Sequence, residues 1–488
     1  MIRKHQRILV FGFSLLFFIT APLVLLYGTG FRFDTRTFEF VETGSFVIRS
    51  YPKDISIEAD GKPTGKTTPA VLSHLLPGIH HIRLQSPEFS VWEKDVYIYP
   101  KMTTFAENIQ LFPAIPMEGS LSTETQPHLF FPSHRLRYAI EVKKQTASSK
   151  LILKNLQESL LQETEKTITT LAKGEELRHL SWAKSEKKIV LTTSSRAMVF
   201  MISRDDSPID IKKILNFLPE SCSWHPFDDT LLLCERKQEL WLIDIALSRP
   251  AHLYTGEYGE FRIDEYELFL PVIQPTNSDF IAEKNNTTKD EMDESPPPQW
   301  TLLAFDLKDT KLQPRTLMGL PLFSEDAEFK VVKNYYSLYI PSRKQWFLAP
   351  RTTPVSYNAS MPVFSFTSEQ VEHITWNGDH TKALYITNET LWYLDVAFDQ
   401  FVPPIELSQL KDAVQSLVWM PGDRHGLVIY PLSIDVVETD LHTPPMTRTL
   451  VKRAQPITPI EPMTDGKWLY TGVSDGAHPG IVRFRIRP

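Results

Sequence analysis

The chain opens on a basic stretch, MIRKHQR, and passes directly into an apolar run. From Ile8 to Tyr27 no residue is charged, and Ser14 and Thr20 are its polar positions. About 20 apolar residues are what a helix needs to cross a bilayer core. Arg3, Lys4 and Arg7 precede the run, whereas Arg32, Asp34, Arg36 and Glu39 follow it with mixed sign. Cations on the leading side hold that side in the cytoplasm. The pattern therefore predicts a cytoplasmic basic stub over 1–7, a single transmembrane anchor over 8–27 and an extracytoplasmic remainder. Pro22 falls in the outer part of the span, where a kink is tolerated. A cleaved signal peptide is the competing reading. Its apolar region runs about 7–15 residues to a small-x-small site; this run is longer and ends Tyr27-Gly28-Thr29-Gly30.

From Gly44 onward the pattern becomes short alternating runs separated by turn residues. Ser45–Arg49 and Ile55–Ala59 alternate, Asp60-Gly61-Lys62 is a hairpin-turn signature, and Pro77-Gly78 separates Leu75-Leu76 from the run His80–Leu84. Val91–Ile98 ends the unit, so the pattern predicts a small antiparallel β-sandwich. The order Tyr51-Pro52, Asp60-Gly61-Lys62, Gly65–Pro69, Leu75 and Pro77-Gly78 resembles the PEGA domain family over 44–112. Where that family carries its name-giving Pro-Glu-Gly-Ala stretch, this chain reads Pro52-Lys53-Asp54-Ile55, and Glu88-Phe89 replaces a later Gly-Tyr pair. The resemblance implies an extracytoplasmic β-sandwich module without assigned chemistry. Gly61–Thr67 mimics a phosphate-binding loop, but three residues rather than four separate its glycines and no helix start follows. Nucleotide binding is rejected.

Over 118–488 a longer period emerges. Strands closing near Trp182, Trp224, Trp376 and Trp419 are each followed by a polar turn and an apolar run, as in SWAKSEKKIVL, SWHPFDDTLLL, TWNGDHTKALY and VWMPGDRHGLV. Trp182 and Trp224 are 42 residues apart, Trp376 and Trp419 are 43 apart, and Trp241 and Trp392 mark later strands of two copies. A period of about 40–45 with several strands per unit is the mark of a β-propeller. Fainter units at Phe130–Leu156, Phe261–Leu307, Phe329–Leu348 and Trp468–Ile486 bring the count to seven or eight blades. The Trp-x-Pro-x-Asp-like turns are similar to those of TolB-type and WD40-like propellers, although no Gly-His or Trp-Asp pairing is present. A pair of β-sandwiches is the alternative. Recurrence of tryptophan at one position of every unit predicts packing between blades rather than a sugar platform. The fold class is therefore mainly β: an N-terminal transmembrane helix, a small PEGA-like sandwich and a propeller.

One segment breaks the pattern. Residues 275–298, PTNSDFIAEKNNTTKDEMDESPPP, cannot supply a core and are expected to be a disordered insertion in a blade. Asp290, Glu291, Asp293 and Glu294 lack the glycine turn and alternate oxygen ligands of a calcium loop.

Composition narrows function more than it names it. With 42% hydrophobic and 23% charged residues the chain is globular rather than disordered or polytopic. A net charge of -7 argues against nucleic acid, which calls for a basic face. Fourteen histidines show no zinc spacing; His80 and His81 are neighbours on opposite faces of a strand, and His225 and His425 fall in turns that read as solvated. No Gly-x-Ser-x-Gly elbow is present. No cofactor, metal or catalytic residue is assigned. Cys222 and Cys234 flank a turn symmetrically about position 228; either they form a disulfide, which an outside location favours, or they are free buried thiols.

The chain thus reads as a single-pass scaffold of the cell envelope that binds a protein or glycan partner. A hydrolase acting on glycans or peptides at the propeller axis is the alternative, and a self-associating surface layer a third. Carboxylates converging at one end of the channel would favour the enzyme; an apolar surface patch would favour the scaffold.

Overall fold

The computed structural model describes residues 2–28, 30–35, 38–122, 130–145, 148–156, 165–202, 206–274, 299–309, 312–320, 326–333, 335–351, 366–368, 370–397, 402–439, 445–453, 457–464, 467–474 and 479–486. The insertion expected at 275–298 lies outside them.

The apolar run forms the helix Ile2–Gly28, whose segment Leu9–Gly28 is long and apolar enough to cross a membrane. That property is shared by anchors and signal sequences. The mixed-sign flank that follows is more than a flank: Phe31–Asp34 and Glu39–Glu42 pair as an antiparallel hairpin.

A two-sheet sandwich comes next. Ala70–Leu75, Gly44–Tyr51 and Thr103–Gln110 form one sheet, the last strand running parallel to Gly44–Tyr51. Lys62–Thr67, Ser56–Ala59, Gly78–Ser86 and Phe89–Ile98 form the other. Alternation places Phe46, Ile48, Ile57, Ile82, Leu84, Trp92 and Val96 inward, all essentially inaccessible to solvent. Period two with one buried face is what a sandwich strand requires.

Eight four-stranded sheets then form the propeller, at the upper of the two expected counts. Their first strands are Phe130–Pro132, Leu177–Trp182, Ser221–Trp224, Arg262–Asp264, Glu328–Val332, Val371–Trp376, Ser416–Trp419 and Ile457–Thr464. We number the blades one to eight in that order. First strands contact one another between blades two and three, four and five, six and seven, and seven and eight, as strands at the axis do. The eighth blade takes its outermost strand, Met117–Ser122, from the start of the region and pairs it with Pro479–Arg485 near the C-terminus. This pairing closes the ring, so no blade face is left without a neighbour.

The second strand of a blade reads as an almost continuous apolar run because both its faces are covered. Lys188–Thr193, Lys382–Thr387 and His425–Ile429 are buried over nearly their whole length. That is the burial of a sheet packed on both sides, not of a half-solvated one. The recurring tryptophans sit at the ends of first strands and reach the preceding blade. Trp182 donates its indole N–H to the Phe131 carbonyl (3.0 Å), Trp224 to Ser181 (3.1 Å) and Trp419 to Thr375 (3.2 Å). Each hook buries a large ring and satisfies its single polar atom in the same step. Trp376 packs edge-on against Trp346 at 5.8 Å. The expectation of inter-blade packing holds for these four.

The sandwich docks on blade seven through a buried carboxylate. Glu438, at the end of Ser433–Glu438, accepts a hydrogen bond from the Trp92 indole (2.9 Å) and pairs with Lys94. Both charged side chains are buried, Lys94 to 5% exposure. Arg448 reaches Ser90, and Phe112 meets His425 edge-on at 5.6 Å.

Two histidine expectations are corrected. His225 is 0% and His425 5% exposed. His225 lies against Tyr266 of the next blade (ring centroids 5.0 Å apart), and His425 lies under Phe112. Each turn is polar in sequence yet is covered by an element far along the chain. Burial lowers the His225 pKa and keeps the ring neutral.

Candidate functional site

A cleft of about 580 Å³ opens across blades two, three and four. Its residues come from one end of the propeller, where the chain passes between blades. Arg178 and His179 begin the first strand of blade two, and Glu220 and Ser221 stand at the start of blade three. Lys237 and Gln238 form the turn between the second and third strands of blade three, while Gly256–Gly259 link that blade to the next. Ile273 and Trp300, near facing ends of two strands of blade four, complete the wall. Gln274 and Gln299 are cross-strand partners beside them.

Glu235 organises the floor. It accepts hydrogen bonds from the Ser221 hydroxyl and, at 3.3 Å, from the Tyr258 phenol. Glu220 accepts the Lys237 amide at 3.2 Å, and Glu257 accepts the Gln238 side-chain amide at 3.4 Å. Burial lowers the His179 pKa, against the opposing pull of Glu235, and so favours the neutral imidazole. Burial and then the Glu235 and Glu220 carboxylates raise the Tyr258 pKa and keep the phenol protonated. The floor therefore offers neutral donors and acceptors, with Arg178, Lys237, Glu220 and Glu257 supplying both signs of charge around them. Nothing local in the sequence marked these residues, which converge from positions 178 to 300 through the ring alone.

Acyl transfer by a serine calls for an imidazole between hydroxyl and carboxylate. Here Ser221 contacts Glu235 directly. Trp300 is 5% exposed and offers no open face for stacking, and Tyr258 is half-buried. Among the described residues no group of three His, Cys, Asp or Glu is placed to hold a metal ion.

The cysteines form the cross-strand pair next to Ser221 and Glu235 of the cleft floor. Cys222 and Cys234 are cross-strand partners in blade three, both inaccessible to solvent, with Cα atoms 4.1 Å apart and their sulfurs joined. In the sandwich, His80 bonds Asp60 (2.7 Å) and the Leu76 carbonyl, and His81 bonds Asp95 (2.8 Å), so the adjacent pair serves separate partners.

Exposed large apolar side chains outside the helix are unevenly spread among the described residues. Twelve lie between Phe33 and Met117, against five on the rest of the propeller: Phe227, Leu247, Val402, Ile405 and Leu432. The apolar surface belongs to the hairpin and sandwich, and the propeller face around the cleft is polar.

Residues 43–113 match the PEGA domain. No curated protein matches the chain. Among solved structures, the chain is similar at 10% identity to one from the crystal structure of the eukaryotic initiation factor, covering 81% of this chain and 91% of that one, with a TM-score of 0.48. It is similar to Saccharomyces cerevisiae Sqt1 at 10% identity, with 76% and 98% covered and a TM-score of 0.43. The β-propeller domain of Myceliophteria thermophila Cps50 (Swd1) aligns at 7% identity, with 70% and 99% covered and a TM-score of 0.36.

Proposed function

We propose that this protein is a membrane-anchored binding scaffold of the cell envelope. The basic stub stays in the cytoplasm, the helix spans the membrane, and the PEGA domain and propeller stand outside. The PEGA domain, clamped to blade seven, spaces the ring from the membrane. The cleft across blades two to four takes a polypeptide partner.

The observation that carries this reading is the state of the cleft. Its carboxylates are already engaged by Ser221, Tyr258, the Lys237 amide and Gln238, which suits recognition. Charges of both signs at its rim suit a peptide bearing both. The hydrolase alternative would draw on Ser221, which contacts Glu235 directly with no imidazole between them.

A photo-crosslinking residue placed at Lys237 tests the reading in living cells, with the same residue at Leu247, at the other end of blade three, as the control. A discrete covalent adduct from Lys237 and none from Leu247 is expected. Equal adducts from both positions, or none from Lys237, would count against the cleft. Loss of partner adducts together with released peptide or sugar fragments would move the account to the hydrolase.

A further inference from the structure

We infer that the hairpin following the helix is a lipid-contacting element, with Phe33, Phe38 and Phe40 seated in the outer membrane–water interface. The inference rests on the membrane-anchor reading and extends it to a specific surface. Cross-strand pairing sorts the hairpin by face. Phe33 stands opposite Phe40 and Phe31 opposite Glu42 on one face, while Arg32 with Val41 and Asp34 with Glu39 occupy the other. The Phe33 and Phe40 rings lie 5.3 Å apart, and Phe38 at the turn lies 6.2 Å from Phe33. Among the described residues these rings are left open, at 47%, 77% and 48% exposure for Phe33, Phe38 and Phe40. A lone two-stranded ribbon with one bare aromatic face is marginal in water, and partition of that face into lipid supplies what protein packing does not.

Chain length fixes the occupant. The helix ends at Gly28 and the hairpin begins at Phe31. Three residue steps reach no more than about 10 Å, and the headgroup zone on each side of the hydrocarbon is roughly 5–7 Å deep. A hairpin so tethered starts at the interface. The junction is tightly held: Arg32 donates to the Tyr27 carbonyl (2.8 Å) and its guanidinium lies 3.4 Å over the Tyr27 ring. Thr43 donates backbone and hydroxyl to the Gly30 carbonyl, and Lys101 closes onto Thr43 (3.1 Å) and Glu42. A Cβ at Gly44 would collide with the Tyr99 carbonyl, so the loop bearing exposed Tyr99 and Met102 is packed onto the foot of the hairpin. The bare rings, the loop and the helix end thus form one connected, membrane-facing end.

The test uses full-length protein in phosphatidylcholine–phosphatidylglycerol vesicles, with single cysteines at Phe38 or Phe40 carrying an environment-sensitive fluorophore. Val24→Cys in the helix and Ile405→Cys on the propeller are parallel controls, and wild-type chain sets the labelling background. Shallow doxyl-labelled phosphatidylcholine is expected to reduce emission from Phe38 and Phe40 labels roughly two-fold, as insertion of about 5–10 Å implies, and to leave Ile405 unchanged. Quenching at Val24 with none at Phe38 or Phe40 overturns the inference and leaves the anchor standing. Absence of quenching at Val24 overturns both. Equal quenching at Ile405 overturns it as well, because lipid would then contact the surface indiscriminately.

Discussion

The clamp between sandwich and propeller makes the most quantitative claim. Replacing Glu438 by Ala removes the acceptor for the Trp92 indole and the carboxylate facing Lys94, whose side chain is 5% exposed. Breaking one side of a buried pair typically costs about 3–5 kcal/mol, because the remaining charge stays buried with a partner lost. An indole N–H left without an acceptor falls within the same penalty at about 1–3 kcal/mol. The exposed pair Lys344–Glu372, 3.1 Å apart with side chains near half-exposed, is the internal control, and Glu372→Ala is expected to cost below about 1 kcal/mol. Urea unfolding of the full-length chain in detergent, followed by tryptophan emission, reads both as shifts of the midpoint at constant slope. Lys94→Met combined with Glu438→Leu should recover the part of the loss due to the buried Lys94 charge, since an apolar pair of similar volume removes the desolvation cost of both ions, and leave the indole penalty in place. A Glu438→Ala cost no larger than that of Glu372→Ala would refute the clamp. So would a double variant as unstable as the single one.

Three other expectations follow from the ring. Trp224→Phe, which keeps the ring buried but loses the bond to Ser181, should cost about 1 kcal/mol, and Trp224→Ala about 3–5 kcal/mol; equal losses in calorimetry would contradict the hook. The 12-residue separation of Cys222 and Cys234 makes a modest loop, so reduction under unfolding conditions should release two thiols in Ellman titration and lower stability by about 3 kcal/mol; two thiols before reduction would sink it. Burial pushes the Glu175 carboxyl up, but hydrogen bonds from Thr193, the Ala172 amide, Arg196 and Ser195 outweigh it and hold the pKa down at about 2. Its contribution is therefore complete above the ordinary value of 4.5 and is lost as pH falls towards 2. The melting-temperature gap between wild type and Glu175→Gln should narrow over that window; a gap unchanged by pH would contradict the assignment.

What could be read from the sequence divides along a physical line. The helix was legible because an uncharged run of that length has no other common explanation. Blades two, three, six and seven were legible because a tryptophan hook ends each first strand. Blades four and five lack it: their first strands are Arg262–Asp264 and Glu328–Val332, and here Arg262 reaches across to the Phe329 carbonyl at 3.2 Å. A different side chain makes the crossing, so the repeat fades although the fold persists. Closure by Met117–Ser122 against Pro479–Arg485 is long-range pairing with no local signature. His225 and His425 were misread for the same reason, since their covers, Tyr266 and Phe112, lie far off in the chain. The hairpin was hidden by counting only its charges, Arg32, Asp34, Arg36 and Glu39, and not the phenylalanines interleaved with them. The cleft could not have been read at all, for its residues share no motif and meet only when three blades are set side by side.

The account stands or falls on which side of the membrane the propeller occupies. Membrane-impermeant maleimide added to intact spheroplasts carrying Lys237→Cys or Lys4→Cys, with wild-type chain as the blank, settles it most directly. The cleft cysteine is expected to label before lysis and the Lys4 position only after lysis. Labelling in the reverse order, with the cleft protected until the membrane is opened, would contradict the extracytoplasmic scaffold.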